Sequence, residues 1–241
     1  SLELQYERGS FVRALTRGDG ETGDDITPNV LRMAGVVRSL DPDFSGGVRG
    51  EVLMPRAVHA AKYADKANCR NAANGLMKRK DGVGAEDLRV VVYDVLSETD
   101  VARIARSVSG GASPASTGAS GLFDTPEPSA FDDELAKLKW LSKAGFEVVP
   151  YEVLPDAEAV VAFRARIMDE RPDLPYDIDG LVVRGLKVDW ADLKRARPEK
   201  QIAFKFSLEE AVTTVLAVEW SESGATYTPV AIVEPVRLAG T

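Results

Sequence analysis

Four short apolar segments carry charge inside what reads as β-strand. They are VRGEV with Glu51, DIDGLVVR with Asp179 and Arg184, IAFKFS with Lys205, and ALTRGDG with Arg17. A charge drawn into apolar surroundings needs a partner, because desolvating it alone is costly. Side chains alternate along a strand, which sets Arg184 opposite Val183 and Lys205 opposite Phe204 and Phe206. Two cations and two carboxylates on strand faces suit a phosphate, its metal ion and a sugar. Carboxylates accept from ribose hydroxyls or hold Mg2+, while Lys and Arg neutralise phosphate oxygens.

Taken singly, each segment also has an ordinary structural reading. Asp179-Gly180 between apolar residues is a common hairpin-turn signal. Glu51 and Lys205 also fit the solvated faces of edge strands. The combination, not any one segment, points to a ligand site. NCRNAANGLMKRKDG adds Arg70 and Asn71 on a small-residue stretch that lets backbone approach a ligand. It is followed by the basic triplet Lys78-Arg79-Lys80, suited to a phosphate backbone or to a solvated helix end. His59, the single histidine, sits among alanines and reads as a surface or packing residue; Cys69 reads as a small buried hydrophobe.

The elements that must position these residues follow from the same patterns. Residues 1–16 alternate around Glu7-Arg8-Gly9-Ser10 and predict a β-hairpin. GGVRGEVLMP predicts a strand closed by Pro55, which opens a helix through Ala57, Ala60 and Ala61. LRVVVYDVL is apolar throughout and predicts a central strand. Helices are expected over the run containing Leu135, Leu138 and Leu141, ended by Gly145, and over 156–170. Residues 107–130, rich in Ser, Gly, Ala and Pro, predict a flexible surface loop. Strand-like segments resume after it, so the expected class is α+β with mostly antiparallel sheets and flanking helices.

With 241 residues, 44% of them apolar, the chain can bury a sizeable core. Its net charge of −8 argues against non-specific nucleic-acid binding over the whole surface, while leaving room for a local basic groove. One cysteine excludes an internal disulfide and a cysteine-rich metal site. No segment has a membrane-spanning pattern and no signal peptide is visible, so a soluble cytoplasmic protein without a membrane partner is expected.

Seven segments, in order, resemble the adenylation (nucleotidyltransferase) domain of bacterial NAD-dependent DNA ligases. They are ALTRGDGETGDDIT, VRGEVLMP, CRNAANGL, VVVYDV, LPYDIDGLVVR, IAFKFS and YTPVAIVEPVRLAGT. The resemblance implies a nucleotidyltransferase fold of ATP-grasp-like ligase type over residues 1–225, with 226–241 as the passage into an oligonucleotide-binding domain. It implies NAD and Mg2+ as cofactors, and nicked duplex DNA and NAD or AMP as partners. A lysine attacks the α-phosphate of NAD+ to give lysyl-AMP; AMP passes to a 5′-phosphate at a nick, and the 3′-hydroxyl displaces it. Carried over by motif, Glu51 binds the ribose hydroxyls and Tyr93 stacks on adenine. Arg17 and Arg70 lie beside phosphates, and Asp179 near the metal. Arg184 and Lys205 contact the α-phosphate, with Arg171 close by. TRGDG and RNAA favour this group over capping enzymes and RNA ligases, which share the covalent lysine.

Three departures accompany the resemblance. Arg184 stands where the family usually has lysine, and spreads its charge over a larger planar fork. Lys78 stands where arginine is expected. No Lys-x-Asp-Gly, the family's nucleophile motif, occurs in the 241 residues; in the family it lies just upstream of a strand resembling SLELQYERG. The expectation is therefore a ligase adenylation domain lacking its first strand and its nucleophile, and inactive alone. The alternatives are one half of a split ligase, with a separate chain supplying the lysine, and a non-catalytic nucleotide- or nucleic-acid-binding relic.

Overall fold

Alternation in the first sixteen residues becomes strands β1 (Leu2–Glu7) and β2 (Ser10–Thr16), paired antiparallel. The computed structural model describes the chain except for residues 19–21, 101–130, 132, 194–198, 207–210, 224–225 and 237–241. The loop expected over 107–130 thus lies outside the described residues. The β1–β2 turn uses Arg8 and Gly9, both at positive φ, the backbone that two-residue hairpins favour. At Gly9 a side chain is also excluded by space, since a Cβ would come within 2.6 Å of the Leu40 carbonyl oxygen.

The chain continues through α1 (Thr27–Val30), β3 (Gly46–Leu53), α2 (Arg56–Lys62), α3 (Cys69–Met77) and β4 (Arg89–Ser97). Pro55 precedes α2 as its spacing predicts, and the Asn68 side chain caps α3 by accepting from the Asn71 N–H at 2.8 Å. The four strands form one antiparallel sheet in the order β2-β1-β3-β4. The apolar run of β4 predicted a central strand; among the named strands β4 instead lies at the end of the sheet. Its open edge is covered by residues 147–149, with Val92 N donating to Glu147 O at 2.8 Å and Val149 N to Val92 O at 3.0 Å. Cover on both faces and both edges accounts for the continuous valines.

One face of this sheet builds the core. Leu2, Leu4 and Tyr6 of β1, Val48 of β3 and Val90, Val92 and Val95 of β4 are buried there. They pack with Val30, Leu76 and Met77, and with Leu141 from α4 (Glu134–Lys143). Each such valine or leucine contributes about 1.5–3 kcal/mol on burial. Tyr6 meets Phe11, Phe44 and Phe146 edge-on and donates its hydroxyl to Val37 O at 2.6 Å. Asn29, buried at α1, donates to the carbonyls of Met77 and Arg79 and so fixes the turn after α3.

Further along lie α5 (Ala157–Glu170), a 3-10 turn at Arg171–Asp173, β5 (Gly180–Arg184), α6 (Trp190–Leu193) and β6 (Gln201–Lys205). Strands β5 and β6 pair antiparallel, as do β7 (Val215–Ser223) and β8 (Thr226–Val233). The division expected between residues 225 and 226 falls between the two strands of this last hairpin. Antiparallel sheets mixed with helices make the chain α+β. No helix among the described residues is long and apolar enough to cross a membrane.

Candidate functional site

The first sheet aligns two of the sequence-selected residues. Leu2 pairs with Thr16 on one side and Gly50 on the other, so the next row holds Arg17, Ser1 and Glu51. Arg17 N donates to Ser1 O at 3.1 Å, and the Ser1 hydroxyl donates to Glu51 Oε1 at 2.6 Å. With neighbouring strands about 4.8 Å apart, the exposed Arg17 and the half-buried Glu51 lie two strands apart in one row.

Tyr93 arrives by a break in the ladder. Gly50 opposes Val92 and Arg49 opposes Asp94, which leaves Tyr93 as the extra residue of a β-bulge. A bulge re-aims side chains that strict alternation would fix. Burial raises the Tyr93 phenol above its ordinary pKa, and the Glu51 and Asp94 carboxylates add to the rise. From the second sheet, the Arg184 guanidinium lies 5.5 Å from the ring centre.

Strand β5 carries the rest. Gly180 pairs with Lys205, Val182 with Ala203 and Arg184 with Gln201, so Gly180, Val182, Arg184 and Lys205 share one face. Just before β5, Asp179 Oδ2 lies 3.1 Å from Arg70 Nη1 and 3.6 Å from Lys205 Nζ. Asp179-Gly180 is not a hairpin turn, because β5 pairs with β6 and Asp179 O accepts from Phe206 N at 3.0 Å. Lys205 is anchored by Arg164, which donates to its carbonyl at 3.1 Å and lies 4.6 Å from the Phe204 ring centre. The exposed Arg70–Asp179–Lys205 group is worth little to stability. It makes better sense as a surface for an anion.

The remaining candidates sit further off. Arg171 stacks its guanidinium 5.6 Å from the Phe206 ring centre, not against Arg184. Lys78 pairs with Asp24 at 2.8 Å, and Arg79 makes two bonds to Asp81, so two members of the basic triplet are engaged by carboxylates. His59 is half-buried, with Nε2 3.1 Å from Lys66 O, in keeping with a surface or packing role. Cys69 is buried, and burial together with Asp177 pushes its thiol up to about 11, well away from a reactive thiolate.

Asp177 organises the approach to β5. Its Oδ1 accepts from Arg56 Nε at 2.8 Å, while Arg56 N donates to Pro175 O at 2.8 Å. Burial opposes its charge, but hydrogen bonds from Arg56 and Cys69 prevail and hold its carboxyl below the usual range. A depressed folded pKa stabilises above the unfolded value, about 3.9, and that contribution is lost as pH falls through the folded value. Urea midpoints measured from pH 6 down to about pH 3 are expected to fall more steeply in the parent than in Arg56→Met. Equal slopes would remove this link.

Sequence reasoning missed three residues here. Val182, 64% exposed on the face of Arg184 and Lys205, read only as strand filling. Lys137 and Glu134 of α4, which reach Asp94 and Arg184, were hidden in a helix chosen for its leucines. As for a cation, no group of three His, Cys, Asp or Glu residues gathers among the described residues. Asp179 is a single carboxylate with one oxygen between two cations. That donor set does not itself make a magnesium site, which takes several hard oxygens.

Residues 1–110 match the family model described as the NAD-dependent DNA ligase adenylation domain. The chain is 52% identical over 250 residues to a DNA ligase of Treponema denticola, an alignment covering all of this chain and 36% of that relative. It is 47% identical over 249 residues to a DNA ligase of Treponema pallidum, covering all of this chain and 28% of the relative. With a DNA ligase of Sorangium cellulosum the identity is 35% over 249 residues, covering all of this chain and 32% of the relative. The chain thus spans about a third of the length of these relatives.

Proposed function

Because the chain belongs to the NAD-dependent DNA ligases through its adenylation-domain residues 1–110, we propose that it supplies the AMP pocket of such a ligase, on a nucleotidyltransferase fold. One observation carries this reading: β5 brings Arg184 over Tyr93 from a different sheet, across from the strand that bears Glu51. In this reading the two sheets form the sides of a cleft, aromatic and acidic on one and cationic on the other.

In this cleft Tyr93 stacks on adenine, with the exposed Val182 as an apolar neighbour. Glu51 accepts from the ribose hydroxyls. Arg184 and Lys205, on one face of β5, neutralise the α-phosphate, and Asp179 keeps Lys205 and Arg70 oriented between ligands. Arg17 and Arg70 extend the positive surface towards the phosphates of a nicked duplex, with Arg171 at its margin. NAD+ is the AMP donor. An amine attacks the α-phosphorus, a P–N bond forms, and the pyrophosphate P–O bond breaks with release of nicotinamide mononucleotide. The AMP then moves to a 5′-phosphate and is displaced by a 3′-hydroxyl. The 241 residues contain no Lys-x-Asp-Gly, so the attacking amine is not among the groups assigned here. No step is assigned to magnesium, since Asp179 alone does not hold it.

Chemical-shift mapping of an AMP titration tests the reading. The largest changes are expected at Glu51, Tyr93, Val182, Arg184 and Lys205. Changes confined to other surfaces, such as the β7–β8 hairpin, would overturn it.

A further inference from the structure

Four charged side chains form a connected network beside the cleft. Lys137 is fully buried, with Nζ 2.9 Å from Asp94 Oδ1 and 3.2 Å from Glu134 Oε1. The other Glu134 oxygen, Oε2, receives Arg184 Nη1 at 3.2 Å. Asp94 Oδ1 also accepts from Val95 N at 3.0 Å, and Asp133 caps the start of α4 by accepting from Leu135 N and Ala136 N. The network is balanced, with two cations and two carboxylates.

Stability does not account for it. Burying ions is costly, and apolar residues at positions 94 and 137 together would join α4 to β4 at no such cost. What the network does achieve is geometric. Glu134 is 13% exposed, one oxygen is fixed by Lys137, and the other is left to hold Arg184. An arginine side chain is long and rotamer-rich, and fixing it before a ligand arrives removes that ordering cost from binding. The guanidinium is held where it meets the Tyr93 ring.

We infer that Glu134, itself oriented by Lys137, is a positioning residue that holds Arg184 at the Tyr93 ring ready for the phosphate of a stacked nucleotide. This rests on the reading of the cleft as an AMP pocket. It also explains how arginine works where the family usually has lysine: the larger fork is given a carboxylate to set its direction.

The test compares AMP with adenosine, which differ by the phosphate. Dissociation constants for both are measured by NMR titration of the 241-residue chain and of Glu134→Ala, Glu134→Gln, Arg184→Met and Glu51→Ala. Glu134→Ala leaves Lys137 and Asp94 as a neutral buried pair, so the fold is retained. The parent is expected to prefer AMP. Glu134→Ala is expected to reduce that preference about fivefold to tenfold, the scale of losing one pre-oriented charged contact, with adenosine affinity within about twofold. Glu134→Gln, which can still accept from Arg184, should recover part of the preference. If Arg184→Met lowers the preference and Glu134→Ala does not, the positioning role fails and the pocket stands. A preference that rises in Glu134→Ala would show Glu134 competing with phosphate, and would also overturn the inference. If Glu51→Ala leaves both affinities unchanged, the pocket reading itself fails, and the inference with it.

Discussion

Lys137→Met is expected to lower the free energy of unfolding by about 3–5 kcal/mol, the usual cost of leaving one ion of a buried pair without its partner. Methionine is close in length to lysine, so little of the loss would come from an empty cavity. The cause is Asp94, which is buried and loses its ammonium partner while keeping its bond from Val95 N. Glu134 is less affected, because Arg184 still holds its other oxygen. Against a typical total of about 5–15 kcal/mol this is a large fraction. Urea unfolding measures it, as a shifted midpoint at constant slope. Adding Asp94→Asn to Lys137→Met removes the stranded charge, and most of the loss should be recovered. A loss below about 1 kcal/mol for Lys137→Met would show that the pair is not a buried ion pair in solution.

The second large effect is all-or-none. Incubated with NAD+ and Mg2+, the 241-residue chain is expected to show an unchanged intact mass. The covalent step needs an amine directed at the α-phosphorus, and the family places it in Lys-x-Asp-Gly, a motif the chain does not contain. Lys205, the one lysine assigned to the cleft, is paired with Asp179 and assigned to charge neutralisation. A stable AMP adduct on any lysine would contradict this assignment. Adding a polypeptide that carries Lys-x-Asp-Gly is expected to restore adenylation if the split-ligase arrangement holds; no adduct with any such partner would count against that arrangement.

Local structure was legible in the sequence wherever one residue pattern decided it. The hairpin over residues 1–16, the Pro55 start of α2 and the helix over Ala157–Glu170 follow from alternation, proline chemistry and helical periodicity. The shared face of Arg184 and Lys205 was half legible. Alternation within each strand indicates a face, but only the pairing of Gly180 with Lys205 and Arg184 with Gln201 makes it the same face. Contacts between distant segments were not legible. Nothing local announces that Tyr93 sits on a bulge, since the extra residue exists only relative to β3. Lys137 lies between Leu135 and Leu138 in a pattern that predicts an apolar stripe, yet it is more buried than either. Its carboxylate partner Asp94, 43 residues away, is what permits that.

The family resemblance carried the site further than residue chemistry did, and the geometry divides its assignments. Tyr93 and Arg184 are neighbours, with Glu51 on the strand beside Tyr93, and Arg70, Asp179 and Lys205 form a second group. Strand β5 joins the two groups. Arg171 and Lys78 belong to neither, because an aromatic ring and Asp24 respectively hold them.

The proposed AMP pocket depends most directly on Glu51. It lies on the strand beside Tyr93, and its carboxylate accepts from a hydroxyl, Ser1 Oγ at 2.6 Å, much as it would from a ribose. Calorimetric titration of AMP into the parent chain and into Glu51→Ala decides the matter. Hydrogen bonds to a charged group contribute about 1.5–3 kcal/mol, so the variant should bind at least about tenfold more weakly. Equal affinity in parent and variant would contradict the assignment of this cleft as the AMP pocket.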